Sequence, residues 1–282
     1  MTLPLAPSFD PAFIEREYNN RALVPDHPQI FARWERDSGF VRETLPSNLD
    51  LRYGPDRRHR LDVFPAAKPK GTLVFIHGGY WRTLDKSFFS WIAASWVAAG
   101  VNVALLNYRL APAVSIEVIT EDVVAAMNWL FLHQSEHGIA MDKVVVSGHS
   151  AGGHLVGALF ATPKSRLAFD TARIAGGISL SGVFDFEPLR HFSYNSDFKL
   201  DEAAVARLNL YDKKPVIRAP LIAAAGGDES SEFRRQTQLI AAAWPTVKQP
   251  AMILPSLHHF SIVDAFTERS QPPYEATLAL FA

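Results

Sequence analysis

Three features of the sequence predict an α/β fold, a mostly parallel, doubly wound sheet with helices on both faces. From Leu49 onward, short runs rich in Val, Ile and Leu alternate with longer stretches of helical period. Those runs lack the apolar/polar alternation of half-exposed strands, as expected of strands buried on both faces. One of them passes directly into Gly148-His149-Ser150-Ala151-Gly152 and then into a helical stretch, a strand–turn–helix junction.

The elements follow in order. Leu49–Tyr53 and Arg60–Phe64 flank Gly54-Pro55-Asp56, a turn sequence, and are predicted to pair antiparallel. Further strands are predicted at Thr72–Ile76, Val101–Leu106, Lys143–Val146, Gly177–Leu180, Pro220–Ala225 and Ala251–Leu254. Helices are predicted between them. In Asp85–Ala99 the residues Phe88, Ile92 and Trp96 recur every four positions, after Asp85 as a capping residue and before Gly100 as a stop. Ile116–His133, Ala151–Phe160 and Ser231–Ala243 read the same way. Two segments break the alternation: residues 1–48, punctuated by proline, and residues 183–219, rich in aromatics. Ligands of α/β sheets bind beyond the carboxyl ends of the strands, where insertions gather, so both segments are expected to form a lid on a single domain spanning 1–282.

The 282 residues carry 28 Lys+Arg against 29 Asp+Glu, a net charge of −1. No basic field is available for nucleic acid or anionic lipid, so neither partner is expected. The longest apolar runs, such as Val101–Leu106, have strand length, against the ~20 residues that cross a bilayer. Residues 1–10 contain no Lys or Arg ahead of an apolar stretch, so a secretory signal is not expected, and cytoplasmic localisation is. The absence of cysteine excludes disulfides, thiolate metal sites and cysteine nucleophiles. A small-molecule substrate is the expected partner, and a homodimer is left open.

The chemistry centres on Ser150. A serine at a tight strand-to-helix turn needs small residues two places to either side, which Gly148 and Gly152 supply. Its hydroxyl then stands at a helix N-terminus, where the dipole and the Ala151 N–H favour negative charge. The second signal is His77-Gly78-Gly79-Tyr80-Trp81, directly after a predicted strand. Acyl transfer builds charge on a carbonyl oxygen, and Gly78 and Gly79 can aim backbone N–H groups there with no Cβ in the way. A serine also needs a base, and the order Ser…acid…His puts it after the last strand, where His258 and His259 stand. His259 is the candidate base, with His258 as neighbour or orienting residue. For the acid, Asp228 and Glu229 follow the strand ending at Ala225, and periodicity does not choose between them.

Taken together, these residues resemble an α/β-hydrolase of the hormone-sensitive-lipase-like branch. The His77–Trp81 stretch is similar to the HGGxW signature of kynurenine formamidases (arylformamidases) and their bacterial esterase-like relatives. Asn107-Tyr108-Arg109-Leu110-Ala111-Pro112, the Gly148–His154 stretch and Glu229–Gln236 with its Ser-Glu-Phe-Arg core also match. The resemblance runs from about Leu49 to the C-terminus. It implies a Ser150–acid–His259 triad and an oxyanion hole of Gly78, Gly79 and Ala151. The family's register, three places after the glycine closing the strand, puts Glu229 at the acid position in place of the usual Asp, with Asp228 as the alternative. The implied reaction is hydrolysis of an N-formyl arylamine such as N-formylkynurenine, without metal or cofactor. A carboxylesterase for short-acyl or aryl esters is the alternative, and a non-catalytic hydrolase-fold binding protein a remote one. Tyr80, Trp81, Phe184 and His191 are candidate substrate contacts, Trp81 equally a packing anchor that holds the glycine loop in shape, with Arg190, Tyr194 and Asn195 as lesser ones. Arg109 is expected to pair with Asp122 as a structural ion pair.

Overall fold

The sheet that carries the site is built outward from Thr72–Ile76, a strand buried at all five positions. A computed structural model describes residues 3–244 and 251–282. The strands are β1 (Asn48–Arg52), β2 (Arg60–Phe64), β3 (Thr72–Ile76), β4 (Asn102–Leu106), β5 (Val144–His149), β6 (Ile174–Leu180), β7 (Leu221–Gly226) and β8 (Met252–Leu254). They form one eight-stranded sheet in the order β1-β2-β4-β3-β5-β6-β7-β8. The pairings β1–β2 and β2–β4 are antiparallel, and the others are parallel. The predicted hairpin and the predicted parallel sheet are both present. β5 is longer than predicted and reaches His149, so the strand delivers its last residue directly to Ser150.

The helices are α1 (Pro11–Tyr18), α2 (Asn20–Leu23), α3 (His27–Thr44), α4 (Ile92–Ala98), α5 (Ile116–Leu132), α6 (Ala151–Phe160), α7 (Asn195–Phe198), α8 (Glu202–Leu208), α9 (Ser231–Ala243), α10 (Ser261–Ala265) and α11 (Pro272–Ala279). Because side chains alternate across a strand, each central strand feeds two cores. Val74, Ile76, Val144 and Val146 face a layer with Leu155 and Leu159 of α6 and Met127 of α5. Leu73, Phe75 and Val145 face the other, with Trp34 of α3, Trp96 of α4 and Ile262 of α10. Burying each such side chain is worth roughly 1.5–3 kcal/mol, which makes this two-sided burial the main force holding the sheet. The Arg109–Asp122 pair is present, with Asp122 buried and Arg109 half-buried: the guanidinium grips the carboxylate with Nε at 2.9 Å and Nη2 at 2.6 Å.

One predicted helix is interrupted. Asp85 caps as expected, accepting from the Ser87 N–H at 3.0 Å, but only a 3-10 turn follows over Lys86–Phe89 before α4 begins. The break falls where the Trp91 N–H is diverted to the Ser38 hydroxyl of α3 at 3.1 Å, outside the helical ladder.

Parts of both segments outside the alternation, Asn19–Arg21, Phe31, Trp34 and Tyr194, line one cavity with Ser150 at the carboxyl end of β5, whereas residues 214–219 lie beside Ile174 at the amino end of β6. α1 packs on α9, with Tyr18 donating its hydroxyl proton to Glu232 Oε2 at 2.8 Å and accepting from Gln236 Nε2 at 2.9 Å. α3 stacks Trp34 against Phe89 and Trp91. In the second segment, Asp197 of α7 reaches back to Arg82 at 2.7 Å, and that guanidinium lies over the Tyr194 ring. Residues 1 and 2 of the expected 1–48 cap lie outside the described residues. Among the described residues, no helix is long and apolar enough to cross a membrane.

Candidate active site

Ser150 takes its position from the two backbones that pass it. It holds φ 55° and ψ −117°, a conformation L-residues rarely adopt, and its N–H donates to the Leu180 carbonyl at 2.8 Å. The flanking glycines are required by close approach. A Cβ on Gly148 would run into the Gly152 carbonyl, and one on Gly152 into the carbonyl of Ile76 on β3. Only with hydrogen at both positions can strand, turn and helix close this tightly.

The loop after β3 is turned by consecutive left-handed residues: Gly79 (φ 107°), Tyr80 (51°) and Trp81 (54°). The Arg82 and Thr83 N–H groups close it by donating to the Gly79 carbonyl at 3.1 and 3.0 Å. His77 props it from behind. Its Nδ1–H donates to the Gly78 carbonyl at 2.7 Å, its ring stacks on Tyr108 at 4.3 Å, and the Tyr108 hydroxyl donates to the His77 carbonyl. Burial pushes the His77 pKa down to about 4, so the prop is neutral at ordinary pH. With the carbonyls of Gly78 and Gly79 so engaged, the N–H groups of Gly78, Gly79 and Ala151 donate to no described residue. Of these three residues, Gly79 lines the cavity beside Ser150.

After β7, Glu229 folds inward and Asp228 outward. Glu229 is 4% exposed, and its Oε2 lies 2.7 Å from His259 Nδ1. Asp228 is exposed. The other oxygen of Glu229 accepts from the Gly226 N–H at 2.7 Å and from the Ser181 hydroxyl at 2.5 Å. His259 is held between Phe233 and His149, and His149 Nε2–H donates to the His259 carbonyl at 2.7 Å. Burial, then the neighbouring His259, holds the His149 pKa well below the ordinary imidazole value, so His149 is neutral with its proton on Nε2. His258 is engaged locally, its Nδ1 accepting from the Phe260 and Ser261 N–H groups.

Ser150, His149 and His259 open onto one cavity of about 530 Å³, including its mouth. The Ser150 hydroxyl makes no hydrogen bond to a described residue, so the serine and the imidazole face each other as walls rather than as a bonded pair. Such contacts are often long in a ligand-free site and tighten around substrate.

Of the expected substrate contacts, Tyr80 lines this cavity and three do not. Trp81 is fully buried on the far side of the loop against His154, Phe186 and Phe198. Phe184 is also fully buried, packed where a side chain at Gly157 or Gly182 would stand. His191 is exposed, its ring beside Phe9 and its Nε2 3.4 Å from Glu187. Of the lesser candidates, Tyr194 lines the cavity; Arg190 bonds Glu187, and Asn195 bonds the backbone at Arg190 and Leu200. The missed wall is the N-terminal segment: Asn19, Asn20 and Arg21 at the α1–α2 junction, with Phe31 and Trp34 of α3. Asn20 is 4% exposed, and its Nδ2 has no hydrogen-bond partner among the described residues. A polar Asn-Asn-Arg triplet at the end of an amphipathic piece was the only available signal.

The chain matches a family model described as alpha/beta hydrolase fold over residues 73–235. It is 26% identical to the kynurenine formamidase of Salmo salar over 245 residues, 83% of this chain and 80% of that protein. To the kynurenine formamidase of Drosophila melanogaster it is 32% identical over 142 residues, 49% of this chain and 46% of that one. A solved structure from Silicibacter sp. TM1040, provisionally described as a thioesterase, superposes with a TM-score of 0.83 at 28% identity, covering 94% of this chain and 98% of that one. Esterase B of Lactobacillus rhamnosis shares the fold at 19% identity and a TM-score of 0.67, covering 93% and 94%. With the matched region spanning more than half of its length, this chain belongs to the alpha/beta hydrolase fold family and is a hydrolase.

Proposed function

We propose that Ser150, His259 and Glu229 act as nucleophile, base and orienting acid in the hydrolysis of an N-formyl arylamine. In this reading His259 Nε2 takes the Ser150 proton as Oγ attacks the formyl carbon. The oxyanion rests on the free N–H groups of Gly78, Gly79 and Ala151, and Glu229 holds the imidazole by its Nδ1–H. Collapse breaks the C–N bond while His259 returns the proton to the leaving amine. Water then attacks the formyl-enzyme by the reverse proton path, releasing formate and regenerating Ser150. The observation that carries the reading is the 2.7 Å Glu229–His259 bond beside a serine at a strained elbow, with Ser150 and His259 lining the same cavity.

The formamide is supported by the relatives that span most of the chain: formamidases of Salmo salar and Danio rerio match 83% and 82% of it. The aromatic walls, Tyr80, Tyr194, Phe31, Trp34 and Phe260, suit an aryl leaving group, and an aniline leaves more readily than an alkylamine. A carboxylesterase is the second reading, favoured by 32% identity over 194 residues to a probable carboxylic ester hydrolase of Mycobacterium tuberculosis. The triad serves both reactions, so the decision lies in pocket fit. Parallel kinetics on N-formylkynurenine and p-nitrophenyl acetate test it: the expected result is a higher kcat/KM for the formamide, and a strong preference for the ester overturns the formamide assignment.

A further inference from the structure

We propose that Ser181 is a positioning residue that makes a glutamate serviceable where the chemistry needs a rigid acid; the proposal rests on the triad reading of Ser150, His259 and Glu229. Ser181 is the first residue beyond β6, fully buried, and its N–H donates to the Ala224 carbonyl on the neighbouring strand at 2.7 Å. Its hydroxyl donates to Glu229 Oε1 at 2.5 Å, and the Gly226 N–H donates to the same oxygen at 2.7 Å. Oε2 is thereby left for His259 Nδ1 at 2.7 Å.

The need for such a clamp follows from the side chain. Compared with aspartate, glutamate adds one methylene, and the torsion that orients its carboxylate is broad and soft. Holding it in one orientation costs side-chain entropy that a shorter acid would not lose. Two donors on one oxygen fix the plane of the carboxylate, and hydrogen bonds to an ionised acceptor are among the stronger ones. The Gly226 amide belongs to the backbone and comes with the strand. The Ser181 hydroxyl is the part supplied by a side chain.

The backbone of Ser181 gives a second, independent reason. Its φ is 53°, in the left-handed region, and Gly182 follows it directly. For a turn alone, glycine would hold that conformation without strain. A serine that accepts the strain while spending its hydroxyl on Glu229 fits a requirement of the site, not of the turn. Ser179, two residues earlier and equally buried, has no hydrogen-bond partner for its hydroxyl among the described residues and serves as the local control.

The test uses the intact enzyme with p-nitrophenyl acetate, so it does not depend on the formamide assignment. Ser181→Gly removes the hydroxyl and relieves the strain, which offsets part of the lost hydrogen bond, so the variant is expected to remain folded, with only a small fall in its urea midpoint. Its kcat is expected to fall about 10- to 100-fold, the equivalent of one charge-assisted hydrogen bond, with KM unchanged. Ser179→Ala is expected to leave kcat within about twofold. In a Glu229→Ala background, Ser181→Gly is expected to have no further effect, because the hydroxyl has nothing left to hold. A wild-type kcat for Ser181→Gly, or an equal loss in the Glu229→Ala background, overturns the positioning role. A wild-type kcat for Glu229→Ala alone overturns the triad reading itself, and the proposal with it.

Discussion

His259 Nδ1 and Glu229 Oε2 stand 2.7 Å apart with both side chains almost wholly withdrawn from solvent, while Asp228, the adjacent residue, is exposed. One residue of offset after β7 therefore separates a carboxylate that can orient an imidazole from one that cannot. Substituting Glu229→Gln keeps the shape and removes the charge, and it presents an amide that can pair with the wrong tautomer. The expected loss in kcat is about 10²–10⁴-fold. Asp228→Asn is expected to stay within about threefold of wild type, since no buried partner depends on it. Steady-state kinetics on both variants check this, and the reverse pattern reassigns the acid.

Ser150→Ala tests the nucleophile more directly. The hydroxyl makes no hydrogen bond within the described protein, so its removal leaves no buried partner unsatisfied and stability is expected to change by less than about 1 kcal/mol. Turnover and covalent labelling by a fluorophosphonate are both expected to disappear. Labelling that persists at the wild-type rate would assign the nucleophile elsewhere.

The elbow can be tested through its glycines. A methyl group on Gly152 meets the Ile76 carbonyl of β3, which is backbone and has no rotamer to escape into. Gly152→Ala is expected to push α6 off the sheet, with a destabilisation of about 1–3 kcal/mol and loss of activity together. Thermal unfolding measured beside kcat distinguishes this from Ser150→Ala, where activity alone is lost.

The parts legible in the sequence were those with local causes. β3, β5 and β7 read as apolar runs because both their faces are buried, and the Gly148–Gly152 turn read as an elbow because the glycine spacing answers a steric demand within five residues. The misread parts have non-local causes. Tyr80 and Trp81 are adjacent aromatics, yet consecutive positive φ values send one to the cavity and the other into the core. Phe184 is an aromatic within the 183–219 segment, but its backbone N–H is tied to Gln236 Oε1 on α9, which draws this part of the segment inward. Asn20 reaches the cavity only because α1 docks through Tyr18, a contact 214 residues distant in sequence from Glu232. No pattern within residues 1–48 reports that docking.

The same docking ties substrate access to the N-terminal segment. The Tyr80 hydroxyl donates to the Tyr18 carbonyl at 2.5 Å, so the glycine loop and α1 are joined directly. Tyr18→Phe removes the hydroxyl donated to Glu232 and accepted from Gln236, leaving buried polar groups short of a partner. The expected cost is about 1–3 kcal/mol in stability. Since α1 leads into the Asn19–Arg21 wall, KM is expected to rise more than kcat falls. Urea unfolding and steady-state kinetics measure the two effects, and an unchanged KM in a destabilised variant would show that the wall does not need this anchor.

Acid stability should be governed in part by histidines held neutral. His154 lies on α6 with both ring nitrogens unpartnered among the described residues, and burial depresses its pKa to about 3. In the unfolded chain an imidazole titrates near 6.5, so below that pH the unfolded state binds a proton that the folded state refuses until about 3. Stability is therefore present in full above the unfolded value and declines as pH falls, by about 1.4 kcal/mol per pH unit for this residue. His149, depressed in the same direction by burial, adds to the slope. His154→Leu replaces a ring that makes no hydrogen bonds with an apolar side chain beside Trp81 and Phe186. Unfolding in urea between pH 7 and pH 4 is expected to show a shallower acid decline in the variant, with stability at pH 7 within about 1.5 kcal/mol of wild type. Equal slopes would mean that His154 takes up its proton in the folded state, against the desolvation that its surroundings impose.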